Sequence, residues 1–222
     1  MKTEQINKIF TSDLLCFLVY ENAKDTEEFK MNSSSPPARQ QLNLGVTAIR
    51  EYLQALQTYS RLGSKVEQTG VTQLLDYLPA IRDLRQLFLM HLRQFDPNIQ
   101  SRKHLRDVIT ANHVLLLTLE RAAQQSSYSM HFDLRQHLTQ FSTRKIISCY
   151  GSALQDFKTN GPFVNDCILT LLHHVGADLG RADLLCDSAV LRPFCKIWEE
   201  KFDVSLYDID YFPSLPTLTA FY

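Results

Sequence analysis

His173 and His174 stand side by side, with Asp178 four residues beyond the second and Cys167 six residues before the first. These are the residue types that hold metal ions, and Cys with His is the pair that serves nucleophilic catalysis. Residues four apart share a helix face, so His174 with Asp178 reads as half a metal site. On a regular helix, however, adjacent side chains point about 100° apart, so the two imidazoles are not expected to reach one ion together. The expectation is one half-buried and one solvated histidine, with no metal site. Cys167 lies on the same helix as both histidines and has no third group to orient a base, so no nucleophile is assigned. The seven glycines are scattered and form no phosphate-cradling motif. Arg102, Lys103, His104 and Arg106 cluster at a helix start and read as a solvated face, or else as a patch for protein or nucleic acid. No catalytic, cofactor-binding or metal-ligating residue is assigned, and no cofactor is expected.

Helices must position these side chains. Ile6, Ile9, Phe10, Leu14, Phe17 and Leu18 recur at three- and four-residue steps, predicting the buried face of a first helix within residues 1–30. Residues 31–39, with their serines and Pro36-Pro37, read as a loop and hinge. A second helix over Gln40–Leu62 would turn Leu42, Val46, Ile49, Leu53, Leu56 and Tyr59 inward and stop at Gly63. Helical spacing continues over Val71–Phe95, is broken at Pro79, and ends at Asp96-Pro97, because the residue before proline is pushed out of the α region. Ser101 is a fitting N-cap for a helix reaching Arg121, with Leu105, Val108, Ile109, Asn112, Leu116 and Leu119 as its buried stripe. Residues 40–121 form a first set of core helices, and residues 122–132 form a polar loop. A second set over 133–203 reads as helices at Asp133–Gln140, Thr143–Lys158, Pro162–Leu179 and Ala182–Glu200. Gly161-Pro162 gives a start signal and Gly180 a stop. Residues 204–222 carry Pro213 and Pro216 and no helical stripe, so they read as an extended, disordered tail. About eight helices and almost no strand pattern predict an all-α fold, an irregular helical stack without a fixed-period repeat.

The net charge of −1 over 222 residues argues against a strongly basic nucleic-acid module. Five widely spaced cysteines without a CxxC pair read as free thiols, mostly buried, in a reducing compartment. The start shows no signal-peptide pattern, and no apolar run approaches the roughly 18 residues that a membrane span needs, so a nuclear or cytoplasmic protein is expected. Two polar pairs inside strong helices, Asn112-His113 and Asn165-Asp166, are expected to hydrogen-bond across helices and set their register.

Two stretches carry a family resemblance. In residues 81–96 and 104–120, Leu87, Phe88, Phe95, Asp96, Leu105, Arg106, Asp107, His113, Leu119 and Glu120 stand where the Timeless family places its core motif. In residues 150–180, Asn165, Cys167, Leu172, His173, Asp178 and Leu179 match that family's next conserved helix, in the same order along the chain. With Phe194–Trp198 these stretches cover about half of the sequence. The resemblance implies a large armadillo/HEAT-like α-solenoid without enzymatic activity, acting in the nucleus, with cytoplasm, through protein partners. The matched residues are then structural or partner-contacting. Where the branch that protects replication forks has Asn-His-Cys, this chain has Asn165-Asp166-Cys167, and where that branch has His-Arg it has His173-His174. The chain is more similar to the insect circadian branch, whose partners are PERIOD and cryptochrome. The fork branch, which works with a small Timeless-interacting partner and the replisome, is the alternative.

Overall fold

A computed structural model describes residues 9–32, 35–62, 65–124 and 132–200. Among these the secondary structure is entirely helical: α1 (Ser12–Met31), α2 (Pro36–Leu62), α3 (Lys65–Tyr77), a 3-10 turn (Leu78–Ala80), α4 (Arg82–Gln94), α5 (Arg102–Gln124), α6 (Leu134–Thr139), α7 (Arg144–Leu154), α8 (Pro162–His173), a π turn (His174–Asp178), a second 3-10 turn (Ala182–Cys186) and α9 (Ser188–Glu199). The expected tail over 204–222, most of the polar loop, Ile6 and Gly63 lie outside the described residues.

Local chemistry accounts for the boundaries. Thr11, Asp133, Thr143 and Asp187 cap α1, α6, α7 and α9, each accepting a backbone N–H of the first turn on its side-chain oxygen. Asp187 splits the single helix expected over 182–200 into a 3-10 turn and α9. The expected 31–39 loop is shorter than its prolines suggest. Pro36 and Pro37 form the first turn of α2, where a missing N–H costs nothing, and Ser35 Oγ accepts from Ala38 N at 3.5 Å. Pro79 breaks the next helical stretch through the 3-10 turn, as its spacing predicts.

Most of the helices pack as sequential pairs, α1 on α2, α4 on α5 and α7 on α8, with α9 following, while α3 packs on α2 and α6 on α5. Between pairs, α1 meets α4, α4 meets α7, and α7 meets α9, while α2 meets α5 and α5 meets α8. Each pair thus packs against the next. The pairs are unequal: α2 has 27 residues and α7 has 11, so no fixed sequence period marks them.

Two buried faces differ from the expected ones. On α1 the inward residues are Leu15, Val19, Asn22, Thr26 and Phe29, whereas Ile9 and Phe17 are exposed. Phe10, Leu14 and Leu18 pack against the core as their spacing predicts, but the buried face of α1 centres on Leu15, Val19 and Asn22 and turns Phe17 outward. On α5 the expected stripe is buried, but so is every residue from Val108 to Leu119. A helix with neighbours on both sides and a layer behind it has no solvent face over those turns.

Candidate functional site

The first motif stretch supplies core and joints. Leu87, Phe88 and Leu105 are buried, and Phe95 closes the end of α4, its carbonyl accepting from Lys145 Nζ at 2.7 Å. Asp96 organises the turn between α4 and α5: its Oδ1 accepts from the backbone and side-chain nitrogens of Asn98, both at 2.9 Å. The basic cluster is paired rather than open. Arg102 reaches Asp156 at 2.7 Å, and Arg106 reaches Asp156 at 3.7 Å and Asn160 at 3.5 Å. Lys103 and Arg50 both meet Asp107, at 2.7 and 3.2 Å, so Asp107 ties α5 to α2. His104 is buried against His91 rather than facing solvent.

The second stretch converges with His113. Asn165, in the first turns of α8, donates to the Phe157 carbonyl at 2.8 Å and accepts from Asn160 Nδ2 at 3.1 Å. Asn160 in turn donates to the Ala153 carbonyl at 2.9 Å, so the two amides clamp the turn between α7 and α8. That turn occupies residues 155–160, where helix had been expected to continue to Lys158. His113 packs edge-on against Phe163 with ring centroids 6.0 Å apart, and its Nε2 lies 4.0 Å from Asp166. Burial, with the neighbouring His174, pushes its pKa down to about 4. Asn112 donates to the Tyr150 hydroxyl at 3.2 Å, linking α5 to α7. Both expected polar pairs thus sit at helix joints. Cys167 is buried, and desolvation with Asp166 nearby holds its thiol well above the ordinary range, which keeps it protonated and unreactive. The cysteines as a set are less buried than expected, because Cys16, Cys186 and Cys195 are exposed.

A cavity of about 20 Å³, room for roughly one water, lies between α5, α7 and α8. Its lining includes Asn112, His113, Tyr150, Cys167 and His174. Asn112 Oδ1 and His113 Nε2 are buried there without a hydrogen-bond partner.

The two adjacent histidines do converge, contrary to expectation. After His173 the α-helix widens into a π turn, closed by Leu179 N donating to the His174 carbonyl at 2.9 Å. In this wider winding Asp178, four residues after one histidine and five after the other, lies beneath both. His174 Nδ1 donates to Asp178 Oδ2 at 2.5 Å, and His173 Nδ1 lies 4.0 Å from the same oxygen. Nothing in the residue types at 174–178 distinguishes a π turn from an α turn.

Sequence reading also missed a second buried polar centre. Asn22 donates to the Leu42 carbonyl at 3.1 Å and accepts from His91 Nε2 at 2.7 Å, binding α1 to α2 and α4. His91 packs edge-on against His104, and Gln57 donates to the Val114 carbonyl and to Thr118 Oγ1 at 3.1 and 2.7 Å. Apolar neighbours at helical spacing around His91 were the available signal.

Among the described residues no helix is long and apolar enough to cross a membrane. A family model described as the TOF1-like helical domain matches residues 144–214, which include α7 through α9. The timeless protein of Drosophila melanogaster is 38% identical over 208 residues, covering 90% of this chain and 15% of that protein. The timeless protein of Drosophila hydei is 38% identical over 200 residues, covering 87% of this chain and 29% of that protein. The chain thus spans less than a third of either relative. With both motif stretches inside the matched region, this chain belongs to the Timeless family.

Proposed function

We propose that the chain is a non-catalytic interaction module of the circadian Timeless branch, contributing the helical surface that docks PERIOD in the nucleus. The observation that carries this reading is the 38% identity to the Drosophila melanogaster timeless protein, sustained over 208 residues. The packing supports it. The motif residues Arg106, Asp107 and Asn165 spend their polar groups on the 155–160 turn and on α2, which gives them the work of fixing a scaffold's shape. Cryptochrome is the second partner expected of this branch.

The fork-protecting reading is kept because the model matching residues 144–214 carries the TOF1-like description. In that reading the same helices support the small Timeless-interacting partner and the replisome. A pull-down at physiological salt, with PERIOD and the small partner as parallel baits, separates the two. Capture of PERIOD alone supports the circadian docking reading. Capture of the small partner alone replaces it with the fork reading, and capture of neither sinks the claim that these helices suffice for docking.

A further inference from the structure

We propose that His173, His174 and Asp178 form a three-donor site for zinc or a similar first-row divalent transition ion, with water completing the coordination. One ligand atom from each residue lies within 4.8 Å of the other two, and the side chains are half-buried to exposed, so an ion can enter. Donors of a tetrahedral site with bonds of about 2.1 Å stand about 3.4 Å apart, so modest rotamer adjustment closes the set. The π turn makes the approach possible, since it brings one carboxylate within reach of two consecutive histidines. Its far end is held independently: Arg135 Nη1 donates to the Asp178 carbonyl at 2.9 Å, and Arg181 N donates to the Val175 carbonyl at 2.9 Å.

The donor set selects the ion class. Magnesium and calcium take oxygen ligands, and a site with a single carboxylate offers them little. Two imidazoles and a carboxylate suit zinc, copper or nickel. Binding through His174 Nδ1 requires the tautomer with its proton on Nε2, so the Nδ1 hydrogen bond to Asp178 is given up. The carboxylate then holds the ion instead of the imidazole N–H.

A purely structural role for the same residues is the competing account, because His174 and Asp178 already pair across one helical turn. His174→Arg separates the two, since arginine keeps a cation opposite Asp178 while removing the imidazole. The experiment is equilibrium dialysis of the full chain against zinc chloride, repeated with cobalt(II) and read by visible absorption. The wild-type chain is expected to bind one ion per molecule, with cobalt showing ligand-field bands and no thiolate charge-transfer band. H174R should bind zinc at least about tenfold more weakly, with an unchanged melting temperature in metal-free buffer. Asp178→Asn should weaken zinc to a similar degree. The proposal is overturned by equal zinc binding in H174R, by no stoichiometric binding in the wild type, or by a thiolate band placing the ion on the exposed Cys16, Cys186 or Cys195.

Discussion

At the residue scale, the joints between helices rest on a few side chains with no slack around them. Gly45 sits in the middle of α2, where glycine is otherwise unfavourable. A Cβ built there falls 2.2 Å from Asn22 Nδ2, the atom that donates to Leu42 and shares its amide with His91. Gly45→Ala must therefore push α1 away from α2 or eject Asn22 from its bonds. The expected loss is about 1–3 kcal/mol, read from urea unfolding. A variant as stable as the parent would mean the two helices approach less closely than described. Asn165 is the corresponding residue on α8. Asn165→Ala removes the side-chain bond to the Phe157 carbonyl and one of the two bonds of Asn160 Nδ2, at a cost of about 1–3 kcal/mol. The same urea series measures it, and an effect confined to the noise would remove Asn165 from the clamp.

At the element scale, α9 has few buried side chains among the described residues, Val190 and Pro193. It packs on α7 through Val190, while Leu191, Phe194 and Trp198 stay exposed at 46%, 37% and 77%. Spaced three and four residues apart, they make one apolar stripe. Such an exposed stripe favours self-association. Trp198→Ser is expected to weaken concentration-dependent association in analytical ultracentrifugation while shifting stability by less than about 0.5 kcal/mol. A wild-type chain that stays monomeric across the accessible concentration range would contradict this. The elements themselves were legible in the sequence, because caps, prolines and three-four spacing act locally: Ser101, Pro79, Thr143 and Gly161 stand at the boundaries they signal. The inward face of α1 was legible only in part: Leu14 and Leu18 pack inward as expected, but Phe17 and Leu15 are equally apolar and only the position of α2 and α4 decides between them. The π turn was hidden for a similar reason: its widening depends on what packs around residues 174–178, not on their types. Of the candidate residues, sequence placed Asn165 and His113 at helix joints, but not the convergence of His173 and His174 on Asp178.

At the scale of the whole molecule, the buried histidines make the stack sensitive to acid. His91, His104, His113 and His137 are all nearly inaccessible, on α4, α5 and α6. Desolvation lowers each from the ordinary 6.5: His91 to about 3, with His104 adding to the effect, and His104, His113 and His137 to about 4. Asp107 opposes the shift at His104 and Lys103 reinforces it, while His174 and Arg85 reinforce those at His113 and His137. Since the folded values lie below the unfolded one, the unfolded chain takes up these protons first. Their stabilising contribution is complete above pH 6.5 and is lost as pH falls from there towards 4 and then 3. Asp25 and Asp166 work in the opposite direction. Burial raises both above 3.8, so the folded state holds their protons more tightly and recovers some stability in the lower part of that range. Four histidines against two carboxylates leave a net decline that begins near pH 6.5. Melting temperatures at half-unit steps from pH 7.5 to 4.5, bracketing that 6.5 onset, should fall steadily from its upper side. His137→Leu, which removes one such group at a site ringed by Phe132 and Phe141, should flatten the decline. A wild-type profile that is level between pH 6.5 and 5 would show that the histidines reach solvent, and the close packing of α4 with α5 and of α5 with α6 would fall with it.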